Sequence, residues 1–279
     1  DVMKGIALVK HLENIPSCNS VTIPSDVPAS VTDLHSYKLL MQYSQKPGGT
    51  YILSKETGDV IMDMSEAMGT KAFYLFESVS PLRFRKETLD MGLRFADRGH
   101  YLGIAPMIMG GMSAPITLAG TVTLIVAEVL ASIFAVNAIT GEKGGFFGHG
   151  SHTNDPRSML CSFGSPNQAL IAVATAQMAK FYGVGSGSNT ALSDSLMPDF
   201  QCGFEKTFSA LFGALSGSVS IGCQGIAGAD QGFSFEQLVL DNEWLDAYNY
   251  VISGFEVNEE TIAQELINTI GIGGNFIAE

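Results

Sequence analysis

Seven short β-forming runs alternate with seven amphipathic helical stretches in this chain, and this alternation limits the possible folds more than any other feature. The expected strands are Val21–Pro24, Thr50–Leu53, Ala72–Glu77, Tyr101–Pro106, Gly145–His149, Gly183–Gly187 and Val219–Cys223. The expected helices follow at Ser30–Gln45, Thr57–Met68, Lys86–Arg98, Pro115–Ala138, Pro166–Tyr182, Asp199–Ser216 and Ser234–Ile252. A strand that must return along a helix to reach the next strand runs parallel to it, through a right-handed crossover. Seven such units, spaced at about 25 to 40 residues, are one short of an eightfold barrel. An open, doubly wound sheet is the alternative, but no GxGxxG fingerprint follows a first strand. The expected fold is therefore α/β, a (β/α)8 TIM barrel forming one domain over residues 1–279. Its first unit would lie upstream of Asp1, where the chain begins without an initiator Met.

Local signals agree with this outline. In Asp199–Ser216 the apolar residues Phe204, Phe208, Leu211, Phe212 and Leu215 share one helical face. Asp199 follows Pro198 and is placed to cap that helix. Ser234, with Gln237 three residues on, has the spacing of a capping box. Asn258–Ile270 forms one more helical stretch, leading into a glycine-rich turn at Gly271–Gly274.

Composition narrows the class. With 279 residues, 46% of them hydrophobic and 15% charged, the chain can bury a large core. Its 31 glycines suit many tight strand-to-helix turns. A net charge of −13 argues against nucleic-acid binding, which needs clustered cations, and is compatible with cationic substrates. Cys18, Cys161, Cys202 and Cys223 lack CxxC spacing, and no basic, apolar signal segment precedes the fold, so reduced thiols in a cytoplasm are expected. The stretch Ile116–Ile139 is long and apolar enough to span a bilayer. Glu128, near its middle, makes that costly. A helix wedged between the barrel and a neighbouring subunit explains the same composition, so a homo-oligomer without membrane contact is expected.

In a parallel barrel the loops after the strands carry the chemistry. Here they are polar and glycine-rich: Glu77-Ser78-Val79-Ser80, then Met107 through Ser113, then His149 through Asp155. Ser186-Gly187-Ser188-Asn189 leads to Ser193-Asp194, and Gln224-Gly225 to Asp230-Gln231. His149 and His152 have the residue types of a metal pair, but loop hydrogen bonding or substrate contact suits their spacing better. Glu77 at a strand end is either a substrate contact or half of an ion pair. Asp194 is free to face the barrel mouth, and the methionines are either packing or a soft wall for a docking cofactor.

Several segments go further. Ser113-Ala114-Pro115-Ile116-Thr117-Leu118-Ala119-Gly120 with Ala127-Glu128, Phe163-Gly164-Ser165-Pro166, and Ser193-Asp194 through Lys206 resemble segments of the trimethylamine methyltransferase (MttB) family. So do Ser234-Phe235-Glu236-Gln237-Leu238-Val239-Leu240-Asp241-Asn242-Glu243, Gly254 through Thr261, and Gly273-Gly274-Asn275-Phe276. Order and spacing hold over nearly the whole chain, while Asn167 and the loop His149–Asp155 depart from the pattern. The resemblance implies a central barrel without the family's N-terminal and C-terminal flanking segments. It also implies a methylated amine bound at the mouth and one methyl group moved to the cobalt of a corrinoid (cobalamin) on a separate corrinoid protein, with no bound metal of its own. Founding members carry pyrrolysine. All 279 letters here are standard, which points to the pyrrolysine-free branch and to a quaternary amine such as glycine betaine.

A quaternary ammonium leaves as a neutral amine, so the protein needs only to hold a cation and align it. Glu77 by its strand-end position, and Asp194 by the resemblance, are the expected catalytic residues, and on strand-end position His149, His152, Phe147 and Gln224 are the expected substrate contacts. Gly110, Gly111 and Gly187 would let a corrinoid edge approach the backbone. Two other readings stay open: a metal-dependent barrel hydrolase using His149 and His152, and a noncatalytic binding protein for betaine-like cations.

Overall fold

The computed structural model describes residues 1–46, 48–222 and 225–277. Its strands are β1 (Phe73–Phe76), β2 (Tyr101–Ile104), β3 (Met109–Gly110), β4 (Phe146–Phe147), β5 (His152–Asn154), β6 (Cys161–Ser162), β7 (Gly185–Ser188), β8 (Ser220–Ile221), β9 (Ile226–Ala227) and β10 (Gly232–Phe233). Its helices are α1 (Val2–Val9), α2 (Thr32–Tyr43), α3 (Lys55–Ala67), α4 (Lys86–Asp97), α5 (Leu118–Thr140), α6 (Pro166–Tyr182), α7 (Phe200–Leu215), α8 (Phe235–Ser253), α9 (Glu259–Ile262) and α10 (Gln264–Ile270).

The expected parallel pairing is present. β1 pairs with β2 (Phe73 opposite Tyr101), β3 with β5 (Met109 opposite His152), β4 with β7 and β7 with β8, all parallel. Between these ladders Gly150 N–H donates to Pro106 O (2.9 Å) and His152 N–H to Ile108 O (3.0 Å), so the chain after β2 runs beside the chain after β4. Five neighbouring parallel stretches therefore follow one another in chain order, with α4, α5, α6 and α7 as the crossovers. β5–β6 and β9–β10 are antiparallel additions at the loop end. Two expected strands, Val21–Pro24 and Thr50–Leu53, form no ladder. Their surroundings offer side chains in place of a strand: Leu53 N–H donates to Asp33 Oδ2 at 2.9 Å, and the next residue, Ser54, caps α3.

Helices bury their apolar faces in three clusters. α1, α2 and α8 meet around Ile6, Leu40 and Leu245; α2, α3 and α4 around Tyr37, Ile61 and Phe95; α5 and α6 around Ile125, Val129 and Ile171. Each fully buried side chain of this kind contributes about 2 kcal/mol. Toward the strands, rings replace aliphatic layers. A Cβ at Gly103 would lie 2.1 Å from the Phe73 ring, and one at Gly187 3.0 Å from the Phe146 ring. Glycine on one strand makes room for a phenylalanine on the next.

α7 departs from its sequence pattern. Its apolar stripe faces outward: Phe200 is 88% and Leu215 68% exposed, and the rings of Phe200, Phe204, Phe208 and Phe212 stack along the surface. The buried face is instead Cys202, Lys206, Ser209, Ala210 and Gly213. Small residues let the helix approach β7, since a Cβ at Gly213 would sit 2.8 Å from Ser188 Oγ. Lys206 is held by Asp241 of α8 at 2.9 Å, both side chains fully buried. Asp199 caps α7 through Cys202 N–H (2.9 Å), as its position predicts. Ser234 caps α8 through Gln237 N–H, but the Gln237 amide turns inward to Asp241 rather than closing the box.

Candidate functional site

Side chains from the crossover helices hold several of the loops at the C-terminal ends of the parallel strands. Glu128 of α5, fully buried, accepts hydrogen bonds from the hydroxyls of Ser78 and Ser80 and from Leu82 N–H (2.8 Å). This fastens the loop after β1, so the one carboxylate of an apolar helix serves as a loop anchor. Glu77, at the root of that loop, lines a cleft of about 300 Å³ with Ser80, Arg85, Thr88, Met107 and Met109. Burial raises the Glu77 pKa, and the nearby Arg85 cation offsets part of the shift.

A second carboxylate faces the same region. Asp230, in the loop between β9 and β10, has its pKa raised by burial and partly restored by His152. Ala229 and Asp230 both adopt left-handed backbone (φ 53° and 68°), a conformation costly for residues other than glycine and commonly kept at functional positions. That loop is tied to the one after β7 by Gly228 N–H to Ser195 O (2.6 Å) and Ala229 N–H to Ser193 O (3.1 Å). Tyr51 completes the group. Although Tyr51 is 70% exposed, its phenol is raised by partial desolvation and then by the negative charges of Glu77 and Asp230, so each carboxylate lies within electrostatic reach of it.

The buried pair behind α7 supports both loops. Lys206 Nζ donates to Ala191 O (3.1 Å) in the loop after β7, while Asp241 Oδ2 accepts Gly225 N–H (3.0 Å) near β9. Asp241 Oδ1 accepts from Gln237 Nε2 and Trp244 Nε1.

His152 is fully buried, with its ring 4.7 Å from that of Phe163. Nδ1–H donates to Gly150 O (3.1 Å), which leaves Nε2 without a hydrogen-bond partner among the described residues. Burial lowers its pKa, so the ring is neutral and Nε2 presents a lone pair. Asp194 is half-buried at the rim. Its Oδ1 accepts Phe163 N–H (2.8 Å) and its own N–H donates to Glu205 Oε2 (2.9 Å). Burial raises its pKa, and the Phe163 and Gly164 amides lower it. Cys161 lies within the field of both Asp194 and Asp230.

The structure sets four of the expected contacts apart from this group. Phe147 is fully buried among Ile108, Ile125 and Ile171, on the helix side of β4, while its neighbour Phe146 takes the strand-facing side. In a strand successive side chains alternate faces, so His149 follows Phe147 outward. His149 Nδ1 accepts Ser151 N–H (3.2 Å), and its Nε2–H donates to Thr175 Oγ1 (3.1 Å), whose own proton goes to Ile171 O. Both ring nitrogens are used, which removes His149 from a metal pair with His152. Gly110 faces α5, where a Cβ would lie 2.6 Å from Thr121 Oγ1, and Gly187 faces Phe146. Neither space is open to a corrinoid. Gly111, in left-handed backbone (φ 88°) and exposed, does remain open, beside exposed Met107 and Met112. Gln224 lies outside the described residues.

Tyr51 and Asp230 are the site residues that strand-end reasoning missed. Asp230 belongs to a loop already marked as polar. Nothing in the sequence separates Tyr51 from its neighbours.

The profile of a family described as trimethylamine methyltransferase (MTTB) matches residues 1–279. Trimethylamine methyltransferase MttB of Methanosarcina barkeri (strain Fusaro / DSM 804) is 36% identical over 199 residues, 71% of this chain and 40% of that protein. Glycine betaine methyltransferase of Desulfitobacterium hafniense (strain Y51) is 33% identical over 206 residues, 74% of this chain and 43% of its own length. The chain thus spans less than half of these relatives. Among solved structures, the monomethylamine methyltransferase (MtmB) of Methanosarcina barkeri superposes with a TM-score of 0.61 at 14% identity, covering 92% of this chain and 57% of that one. At that identity the likeness is one of fold.

Proposed function

The chain belongs to the trimethylamine methyltransferase family, and on that premise we propose that it moves a methyl group from a methylated amine to a corrinoid on a partner corrinoid protein. The methyl donor is a quaternary amine such as glycine betaine in preference to trimethylamine, because all 279 residues are standard. The observation that carries this reading is half-buried Glu77 in its cleft of about 300 Å³ at the strand ends, with the exposed Tyr51 phenol in reach of it and of Asp230. Such surroundings gain from a permanent cation, which offsets partly desolvated negative charge and rests against an aromatic face.

In this reading Glu77 and Asp230 hold the ammonium and the Tyr51 ring packs against its methyl groups. Asp194 shapes the rim by fixing the turn at Phe163, and His152 closes the far wall. When bound, the corrinoid supplies a Co(I) nucleophile for the methyl carbon. The C–N bond breaks with its electron pair left on nitrogen, so a neutral tertiary amine leaves and no side chain has to donate a proton. The protein contributes alignment of the methyl group and exclusion of water. Gly111, Met107 and Met112 form an exposed, soft rim suited to the flat edge of such a group.

The reading extends to a closed (β/α)8 barrel, with the five parallel stretches as its continuous part. It also includes a homo-oligomer, supported by the exposed apolar faces of α5 and α7, and a cytoplasmic location. The deciding experiment follows methylation of free cob(I)alamin with a panel of quaternary and tertiary amines. A quaternary amine giving methylcobalamin supports the proposal. Binding of betaine-like cations without methyl transfer leaves only a binding protein, and stoichiometric zinc with no transfer favours the hydrolase.

A further inference from the structure

Around the cleft that holds Glu77 the surface changes character. The chain carries a net charge of −13 and only 15 basic residues, yet three of them fall within four positions: Arg83, Arg85 and Lys86. All three are exposed, and none forms an ion pair among the described residues. They follow the loop that Glu128 fastens, closed by reciprocal hydrogen bonds between Val79 and Arg83 (2.7 and 3.2 Å). Ser80 of the same loop touches Met107 O, which brings it to the chain after β2. Exposed apolar side chains lie on the two chain segments that meet there: Leu82 at the loop tip (64%) on one, and Met107, Met112 and Ile116 (75%) on the other. Exposed apolar groups bordered by solvated cations have the make-up of an interface with a charged rim.

We propose that this patch, centred on Leu82, Arg83, Lys86 and Met112, is the docking surface for an acidic protein that presents the methyl acceptor to the cleft. The inference rests on the proposed methyl transfer and names the surface through which it occurs. Charge complementarity selects the partner: cations on an otherwise acidic chain steer a negatively charged body to this rim and leave the rest of the surface repulsive. Three cations are too few for a nucleic acid against a net charge of −13. A second copy of this chain meeting the patch across a twofold axis would set Arg83 and Lys86 against their own counterparts, which disfavours that occupant.

The test uses the full chain, a cobalamin-loaded corrinoid-binding carrier domain of net negative charge, and free cob(I)alamin. In the R83E/K86E variant, both sites being exposed and outside the cation-holding group, carrier binding is expected to weaken at least tenfold. Wild-type binding is expected to weaken as salt rises from 50 to 300 mM, roughly in the range where surface charges become screened, and the variant's binding to lose that dependence. Methylation of free cob(I)alamin should be the same in both proteins. Carrier binding that is absent in the wild type, insensitive to salt, or unchanged in the variant overturns the proposal. So does wild-type self-association, seen by sedimentation velocity, that the variant abolishes. Absence of methyl transfer from any amine to free cob(I)alamin removes the catalytic reading alone, because salt-dependent carrier binding is measured independently of turnover.

Discussion

Glu77 and Asp230 ionise less readily than ordinary carboxyls because burial opposes their charge. The ordinary value is about 4, so the acid limb of cation binding lies above it. Affinity for a quaternary ammonium is full once both groups have lost their protons and falls as pH drops through their raised values. Glu77→Gln or Asp230→Asn is expected to weaken binding about tenfold, close to 1.4 kcal/mol, and to flatten that limb; isothermal titration from pH 5 to 8 measures both. A variant that keeps wild-type affinity across this range removes its residue from the site. His149 makes the opposite kind of prediction. Its pKa is lowered to about 4 by burial first and His152 second. The unfolded chain takes up this proton near 6.5 and the folded chain only near 4, so stability is full above 6.5 and declines as pH falls toward 4. At pH 5 the loss from His149 approaches roughly 2 kcal/mol. Urea denaturation at pH 7.5 and pH 5 should show a smaller difference in His149→Gln than in the wild type, with His152 accounting for part of what remains. Equal differences would place the ring in water.

At the scale of elements, the helices were the most readable feature, because a 3.6-residue period survives whatever they pack against. α6 occupies the predicted span Pro166–Tyr182 at both ends, bounded by Pro166 and by Gly183 in left-handed backbone. Strand phase was harder to read. Phe146 and Phe147 are chemically identical neighbours on opposite faces, and no local pattern says which one points outward. A one-residue change of phase carries His149 with it, which is why two expected substrate contacts became core. α7 misled for another reason: its periodic apolar stripe is real but superficial, while its packing depends on Lys206 and small residues that hydrophobic periodicity ignores. Lys206→Met leaves the Asp241 carboxylate buried without its cation and is expected to cost about 3 to 5 kcal/mol in urea unfolding. Pairing Lys206→Met with Asp241→Leu should recover much of that loss. If the two effects simply add, the pair is uncoupled.

Across the whole molecule, the legible part was the parallel α/β order, and the illegible part was the meeting of remote loops. Tyr51, Glu77 and Asp230 come from three separate segments, and only the tertiary fold places both carboxylates within reach of the phenol. Negative charge is spread over the chain, and at the cleft a half-buried carboxylate, Glu77, has the Arg85 cation beside it. Glu128 ties the two levels together through α5, a helix long and apolar enough to cross a membrane. During synthesis, before the loop after β1 has reached it, that carboxylate has no partners and is the main charge along the segment. At the centre of a membrane helix an acidic residue raises the cost of insertion by about 2.5 to 3.5 kcal/mol. The side chain that anchors the loop beside Glu77 therefore also raises the cost of placing α5 in lipid. In a glycosylation-mapping assay of translocon insertion, the Glu128→Leu segment should enter the bilayer in a clearly larger fraction than the native segment. Equal insertion would show that the carboxylate matters only after folding.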